Sequence, residues 1–137
     1  MQSVIIPAII PESAEALREV VSEISIFSHA VQIDLVDGEF VSQKSWPFIH
    51  GDDTASTFEA LSHQVDIEID AMVARPEQYI SSWLLCGVKK IIIHIESTVK
   101  LDEILSIPRN GVAVGLSLNS DTPLESLTPY VERADFV

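Results

Sequence analysis

The chain has 137 residues, one domain's worth, enough to bury a core without disulfide staples. Its 47% hydrophobic and 21% charged content is that of a globular rather than a disordered protein. With 21 acidic against 8 basic side chains, the net charge of −13 argues against nucleic acid or an anionic membrane as the main partner. An anionic small molecule stays open, because it needs only a local positive patch or backbone N–H groups.

Met1–Ser13 lacks a basic leading segment, and two prolines interrupt its apolar run, so it reads as a first buried strand and not a signal peptide. Strands are then predicted at Val4–Ile10, Val31–Val36, Val65–Met72, Lys90–Ile95 and Val112–Leu118, with a last fragment at Asp135–Val137. Leu17, Val20, Val21 and Ile24 fall at i, i+3, i+4 and i+7, one face of a helix opening near Ser13. Pro76, Tyr79, Ile80, Trp83 and Leu84 repeat that spacing, with Gly87 placed to stop the helix. Thr122-Pro-Leu-Glu125 has the capping-box pattern of a further helix, and shorter helices are expected near Thr54–Leu61 and Leu101–Ile107. Cys86 is the single cysteine, which excludes an intrachain disulfide and fits a reducing compartment. No apolar run approaches the ~20 residues that span a bilayer. The expectation is a soluble, cytoplasmic protein with no membrane or nucleic-acid partner.

Strand–helix alternation without adjacent hairpins specifies a parallel sheet with right-handed crossovers. In an open doubly wound sheet the central strands are apolar on both faces. Here the second and third strands alternate: Ile33 and Leu35 oppose Gln32 and Asp34, and Ile67 and Ile69 oppose Asp66, Glu68 and Asp70. One apolar face toward helices and one polar face toward an interior suit a (β/α)8 barrel, whose reactive residues sit at the C-terminal strand ends. Residues 1–137 are therefore read as a single incomplete barrel, strands one to six, about two-thirds of the ~200–250 residues such barrels use. An unclosed barrel leaves strand edges and apolar surface exposed, so the 137-residue chain alone is expected to be inactive and poorly folded.

Gln32, Asp34, Glu68, Asp70, His94 and Glu96 then share the interior. Clustered carboxylates cannot all stay ionised in a dry pocket; they are protonated, paired, wet or bound to a cation. A divalent metal could polarise a substrate carbonyl there while a carboxylate moves a proton on the adjacent carbon. The plainer reading has Asp66, Glu68 and Glu96 solvated or paired with Lys89 or Lys90. His94 is either a hydrogen-bonded core histidine or a substrate contact. Asp34, flanked by Ile33 and Leu35, is the strongest functional candidate, since a buried carboxyl without a partner or a task is costly. Asp37-Gly38 marks a tight turn. Trp46-Pro47-Phe48 either covers the barrel mouth or packs as a satellite cluster. His29, His50 and His63 lack metal-ligand spacing, and no Walker, GxGxxG, CxxC, HExxH or GxSxG motif occurs.

Val31-Gln-Ile-Asp-Leu-Val-Asp-Gly-Glu-Phe-Val41 resembles the H-x-D-x-M-D-G-x-F-V segment of ribulose-phosphate 3-epimerases. Ile6–Ile10 is similar to the family's first strand A-P-S-I-L, and Met72–Ile80 to its M-x-x-N-P-x-x-Y-I. Ile93–Thr98 is similar to its H-x-E-A-T, and Gly115–Glu125 to its G-x-x-L-N-P-x-T-P-L-E. The five ordered segments span essentially the whole chain.

The resemblance implies a (β/α)8 barrel that interconverts ribulose 5-phosphate and xylulose 5-phosphate. The proton leaves one face of C3 and returns to the other, between two aspartates, through an enediolate stabilised by a divalent metal. Asp34 matches the second-strand aspartate, both ligand and acid–base. The family's two ligand histidines on strands two and three correspond to Gln32 and Asp70, its first-strand serine to Ala8 and its second-strand methionine to Val36. The implied metal site is Asp34, Asp70 and Gln32, and the implied substrate contacts are Ala8, Met72 and His94. Oxygen ligands in place of imidazoles weaken zinc and favour Mg or Mn, or no metal, so the implied cofactor is a divalent cation left open among Mg, Mn, Zn and Fe. The family's strand-seven aspartate and phosphate loops have no counterpart before Val137. A sugar phosphate is the implied partner, and a homo-oligomer is left open. Two alternatives remain: another ketose-phosphate epimerase or lyase on the same barrel, and a non-catalytic paralogue that binds a sugar phosphate.

Overall fold

A computed structural model describes residues 4–137. Five parallel strands form one sheet in the order β1 (Ala8–Ile9), β2 (Ala30–Val36), β3 (Asp66–Met72), β4 (Lys90–His94) and β5 (Ala113–Ser117). Every neighbour in space is a neighbour in sequence, so the order never reverses as it does in a doubly wound sheet. This is consistent with part of a (β/α)8 barrel.

Between the strands lie α1 (Ala14–Ile24), α2 (Ala55–Ser62), α3 (Ile80–Trp83) and α4 (Leu101–Ile104). Ser13 caps α1, its hydroxyl accepting the Ala16 N–H at 3.1 Å. Leu17, Val21 and Ile24 are buried as their spacing requires, while Val20, at 38% exposed, sits at the margin of that face. The apolar sets Val31, Ile33, Leu35 on β2 and Ile67, Ile69, Ala71 on β3 join Leu17, Val21, Phe58 and Leu61 in one core. Removing these side chains from water is the main term that holds helices on this face.

Several sequence expectations are corrected. The first strand shrinks from Val4–Ile10 to two residues, with Val4 and Ile5 exposed. The sixth strand is a single parallel bridge, Gly115 to Phe136, and not a strand at Asp135–Val137. The helix expected from Pro76 to Leu84 is split into a 3-10 turn, Pro76–Gln78, and the one-turn α3. The capping box at Thr122 makes no cap: Pro123 is extended at ψ 136°, and only a 3-10 turn, Leu124–Leu127, follows. Trp46 is fully buried edge-on to Phe58 within the main core, and Phe48 packs on Tyr79 against it, so the segment is part of that core and not a satellite cluster. No helix of the described residues is long and apolar enough to cross a membrane.

Candidate active site

The polar face of the sheet is ordered in layers by strand register. Ala8 pairs with Gln32, and Gln32 with Glu68, which pairs with Lys90. One step toward the C-terminal strand ends, Asp34 pairs with Asp70 and Asp70 with Ile92; one step further, Val36 pairs with Met72, and His94 with Ser117. A side-chain period of two puts these residues on one face, because each strand's intervening residues are the apolar set facing the helices.

The lower layer is structural. Lys90 Nζ lies 2.7 Å from Glu68 Oε1, and its ammonium sits 5.6 Å from the centroid of the Phe136 ring. Glu68 is thereby paired with an inward lysine, as the plainer sequence reading has it. Asp66 is exposed at the foot of β3.

The middle layer brings the candidate side chains together. Gln32 Nε2 donates to Asp34 Oδ1 at 2.8 Å. The amide has no choice of face, since its oxygen would repel the carboxylate. Burial pushes the Asp34 carboxyl above the usual carboxylate range; the Gln32 hydrogen bond opposes this, and the nearby Asp70 charge adds to it. His94 Nε2 stands 3.3 Å from Asp70 Oδ1, within ion-pair reach, but the two are not aligned as a hydrogen bond. Asp70 beside it holds the imidazole above its ordinary value, against the effect of burial, and Glu96 and Asn119 add to that shift. The Phe40 ring covers His94 with centroids 5.3 Å apart.

Asp34, Asp70, Gln32 and His94 are therefore brought together. Met72 stands at the C-terminal end of β3 beside this group, half-buried, and Ala8 is exposed on the edge strand next to Gln32. The implied metal fits poorly. Among the described residues, no three His, Cys, Asp or Glu side chains form a group that could hold an ion. The Gln32 amide, moreover, turns a proton donor toward Asp34, where a ligand would turn an oxygen toward the metal.

The rim of the site is built from carboxylates that each clasp the next loop. Asp37 Oδ1 accepts the N–H groups of Glu39 and Phe40, and its Oδ2 accepts that of Ala74 at 2.7 Å. Thr98 donates its hydroxyl to Glu77 Oε2 at 2.9 Å, and Glu96 Oε1 accepts the Asn119 N–H at 2.7 Å and the Thr122 hydroxyl. Gly38 makes the first clasp feasible with φ 81°; any Cβ there would fall 2.7 Å from the Lys44 side chain. The sequence reading missed Phe40 and Glu77, whose roles depend on partners more than 20 residues away. An aromatic cleft of about 300 Å³ lined by Phe48, Tyr79 and Trp83 shares no residue with the Asp34 layer.

The family model described as Ribulose-phosphate 3 epimerase family matches residues 4–137. A ribulose-phosphate 3-epimerase of Chlamydia pneumoniae is 30% identical over 113 residues, covering 80% of this chain and 46% of that protein. One of Schizosaccharomyces pombe is 28% identical over 140 residues, covering all of this chain and 60% of that protein. One of Treponema pallidum is 28% identical over 108 residues, covering 78% and 47%. The chain spans about half the length of most of the curated relatives it matches. With the family model matching residues 4–137, this chain belongs to the ribulose-phosphate 3-epimerase family.

Proposed function

We propose that the chain is the part of a (β/α)8-barrel isomerase that carries one acid–base group for C3 of ribulose 5-phosphate, in the interconversion with xylulose 5-phosphate. The relatives' names supply the substrate class; Asp34 supplies the chemistry. The observation that carries the reading is a half-buried carboxyl, raised by burial and by Asp70, on the polar face of the second strand. A carboxyl so raised is a stronger base than a solvated one when ionised, and holds the proton well enough to return it.

C3–H of a 2-ketose phosphate is acidified by the neighbouring carbonyl. Asp34 takes that proton, and the carbonyl oxygen gains negative charge. His94, raised by Asp70, is proposed to donate an N–H to that oxygen. Asp34 and Asp70 stand on one wall of the sheet, so both face the same side of a bound sugar. Proton removal and return by Asp34 alone exchange C3 hydrogen with solvent; inversion requires a second group from the opposite wall. Ala8 and Met72 are proposed to flank the sugar.

A second reading has one observation in its favour. Asp34 already accepts a hydrogen bond from Gln32, which suits a barrel that binds the sugar phosphate without turning it over. Deuterium uptake at C3 of ribulose 5-phosphate in D2O, followed by proton NMR, decides between them. Exchange by the wild type that is lost in Asp34→Asn supports the acid–base assignment. Retention of the C3 proton by the wild type overturns it in favour of binding alone.

A further inference from the structure

The two residues that replace imidazoles do more than remove ligands. Gln32 puts a neutral N–H donor 2.8 Å from Asp34 Oδ1. Asp70 puts its carboxylate 3.3 Å from His94 Nε2, so its nearest counter-group is an imidazole of its own chain. Each carboxylate of the middle layer thus has a partner supplied by the neighbouring sequence or the neighbouring strand.

We infer that this chain engages its core carboxylates from within, Asp34 by a hydrogen bond from the Gln32 amide and Asp70 by the close approach of the His94 imidazole at 3.3 Å, and holds no resident divalent metal at the position where its family's ligand pattern would place one. This goes beyond the proposed reaction and concerns the same site, but does not depend on the reaction taking place. Three features carry it. The amide must keep its nitrogen toward Asp34, because its oxygen in that place would face a carboxylate oxygen. A cation entering there would meet the positive end of the N–H dipole. His94 approaches Asp70, yet among the described residues no three His, Cys, Asp or Glu side chains form a group that could hold an ion, whereas resident sites close around several ligands held in place by partners of their own.

The test is metal uptake, read without any enzyme assay. The chelator-treated full chain is titrated with Zn²⁺ and with Mn²⁺ by calorimetry, and the metal content of freshly purified protein is measured by mass spectrometry. The expected result is dilution heat only, and a metal content well below one equivalent. The double variant Gln32→His with Asp70→His removes the amide that engages Asp34 and the carboxylate that faces His94, and places two imidazoles beside Asp34; it is expected to gain one equivalent of Zn²⁺. Circular dichroism establishes that the variant is folded, and if it is not, the single variant Gln32→His takes its place, with a gain in Zn²⁺ affinity expected.

One equivalent bound by the wild type and abolished by Asp34→Asn would overturn the inference. A folded double variant that gains no metal would overturn the assignment of the missing affinity to Gln32 and Asp70. Deuterium exchange and metal uptake are separate readouts. A chain that takes up no metal and exchanges no C3 proton sinks the proposed reaction and leaves this inference standing; one that exchanges the proton and binds one equivalent does the reverse.

Discussion

Phe136 lies so close over Gly115 that a Cβ on the glycine would fall 2.3 Å from a ring carbon. That contact seats the last described residues on the edge of β5, where the Leu116 N–H donates to the Phe136 carbonyl at 3.1 Å and the Asp135 N–H to the Val114 carbonyl at 2.9 Å. Gly115→Ala is therefore expected to displace the ring and unseat this segment. The cost is about 1–3 kcal/mol, the range for overpacking, with the lower end applying if the ring swings out. Urea denaturation reads the loss. Amide exchange locates it: the Leu116 N–H should lose protection while those within β2 and β3 keep it.

Asp37 joins the loop after β2 to the loop after β3 through the Ala74 N–H, and holds Phe40 over His94 through the Phe40 N–H. Asp37→Ala leaves three backbone donors without this acceptor, and a bond to a charged acceptor contributes about 1.5–3 kcal/mol. The expected destabilisation is about 2–3 kcal/mol, because the exposed donors recover water. The upfield ring-current shift of the His94 ring protons should also diminish, since Phe40 is no longer pinned. A variant as stable as the wild type, with unchanged His94 resonances, would contradict the clasp.

The sequence made the central strands legible to within a residue or so because β-branched runs with one polar set can be satisfied only by a sheet with helices on one side. Asp34 stood out for the same reason: a carboxyl between Ile33 and Leu35 breaks an apolar run. What failed was local inference where the partner is distant. Thr122 and Glu125 match a capping box, but the Thr122 hydroxyl is taken by Glu96, 26 residues earlier, and Pro123 stays extended. The Asp135–Val137 fragment has strand composition, yet makes a single bridge. The pairing of Asp70 with His94 was equally hidden, because it depends on the register between two strands.

Glu96 gives the loop clasps a pH dependence with a definite sign. Burial alone would raise its carboxyl, but the Thr122 hydroxyl and the Asn119 N–H, donating to it, bring it below its ordinary value of 4.5. A group lowered on folding contributes stability that is present above the unfolded value and is lost as pH falls through the folded one. The wild type should thus be more stable than Glu96→Gln at pH 7, and the gap should close as pH drops below about 4.5. Denaturation of both proteins at a series of pH values measures this; a gap that widens in acid would refute it.

Cys86 is buried against Trp83, and burial pushes its thiol up to about 11 from an ordinary 9.0. Its thiolate population at neutral pH is lower by ~100-fold, before any steric protection is counted. A disulfide reagent should leave the native chain unmodified for as long as it stays folded. In urea the thiol should react at the rate of a free cysteine. The labelling rate then follows the opening of the core around α3, and native labelling as fast as that in urea would show this region to be open.

Glu68 and Lys90 form the floor beneath Asp34, and their burial is unequal: the glutamate side chain is 10% exposed and the lysine 41%. Removing the lysine leaves the more buried charge without its partner, whereas removing the glutamate leaves the ammonium access to water and to the Phe136 ring. Lys90→Met should consequently cost more than Glu68→Gln, about 2–3 kcal/mol against about 1 kcal/mol, the first kept below the value for a fully buried pair by the solvent that reaches Lys90. The double variant should be more stable than Lys90→Met alone, since an amide in place of the carboxylate no longer needs a counter-charge. A double-mutant cycle in urea at constant salt gives the coupling directly. Additive losses would mean that the pair contributes nothing beyond its two side chains, and that the floor of the site is held by packing against Phe136 instead.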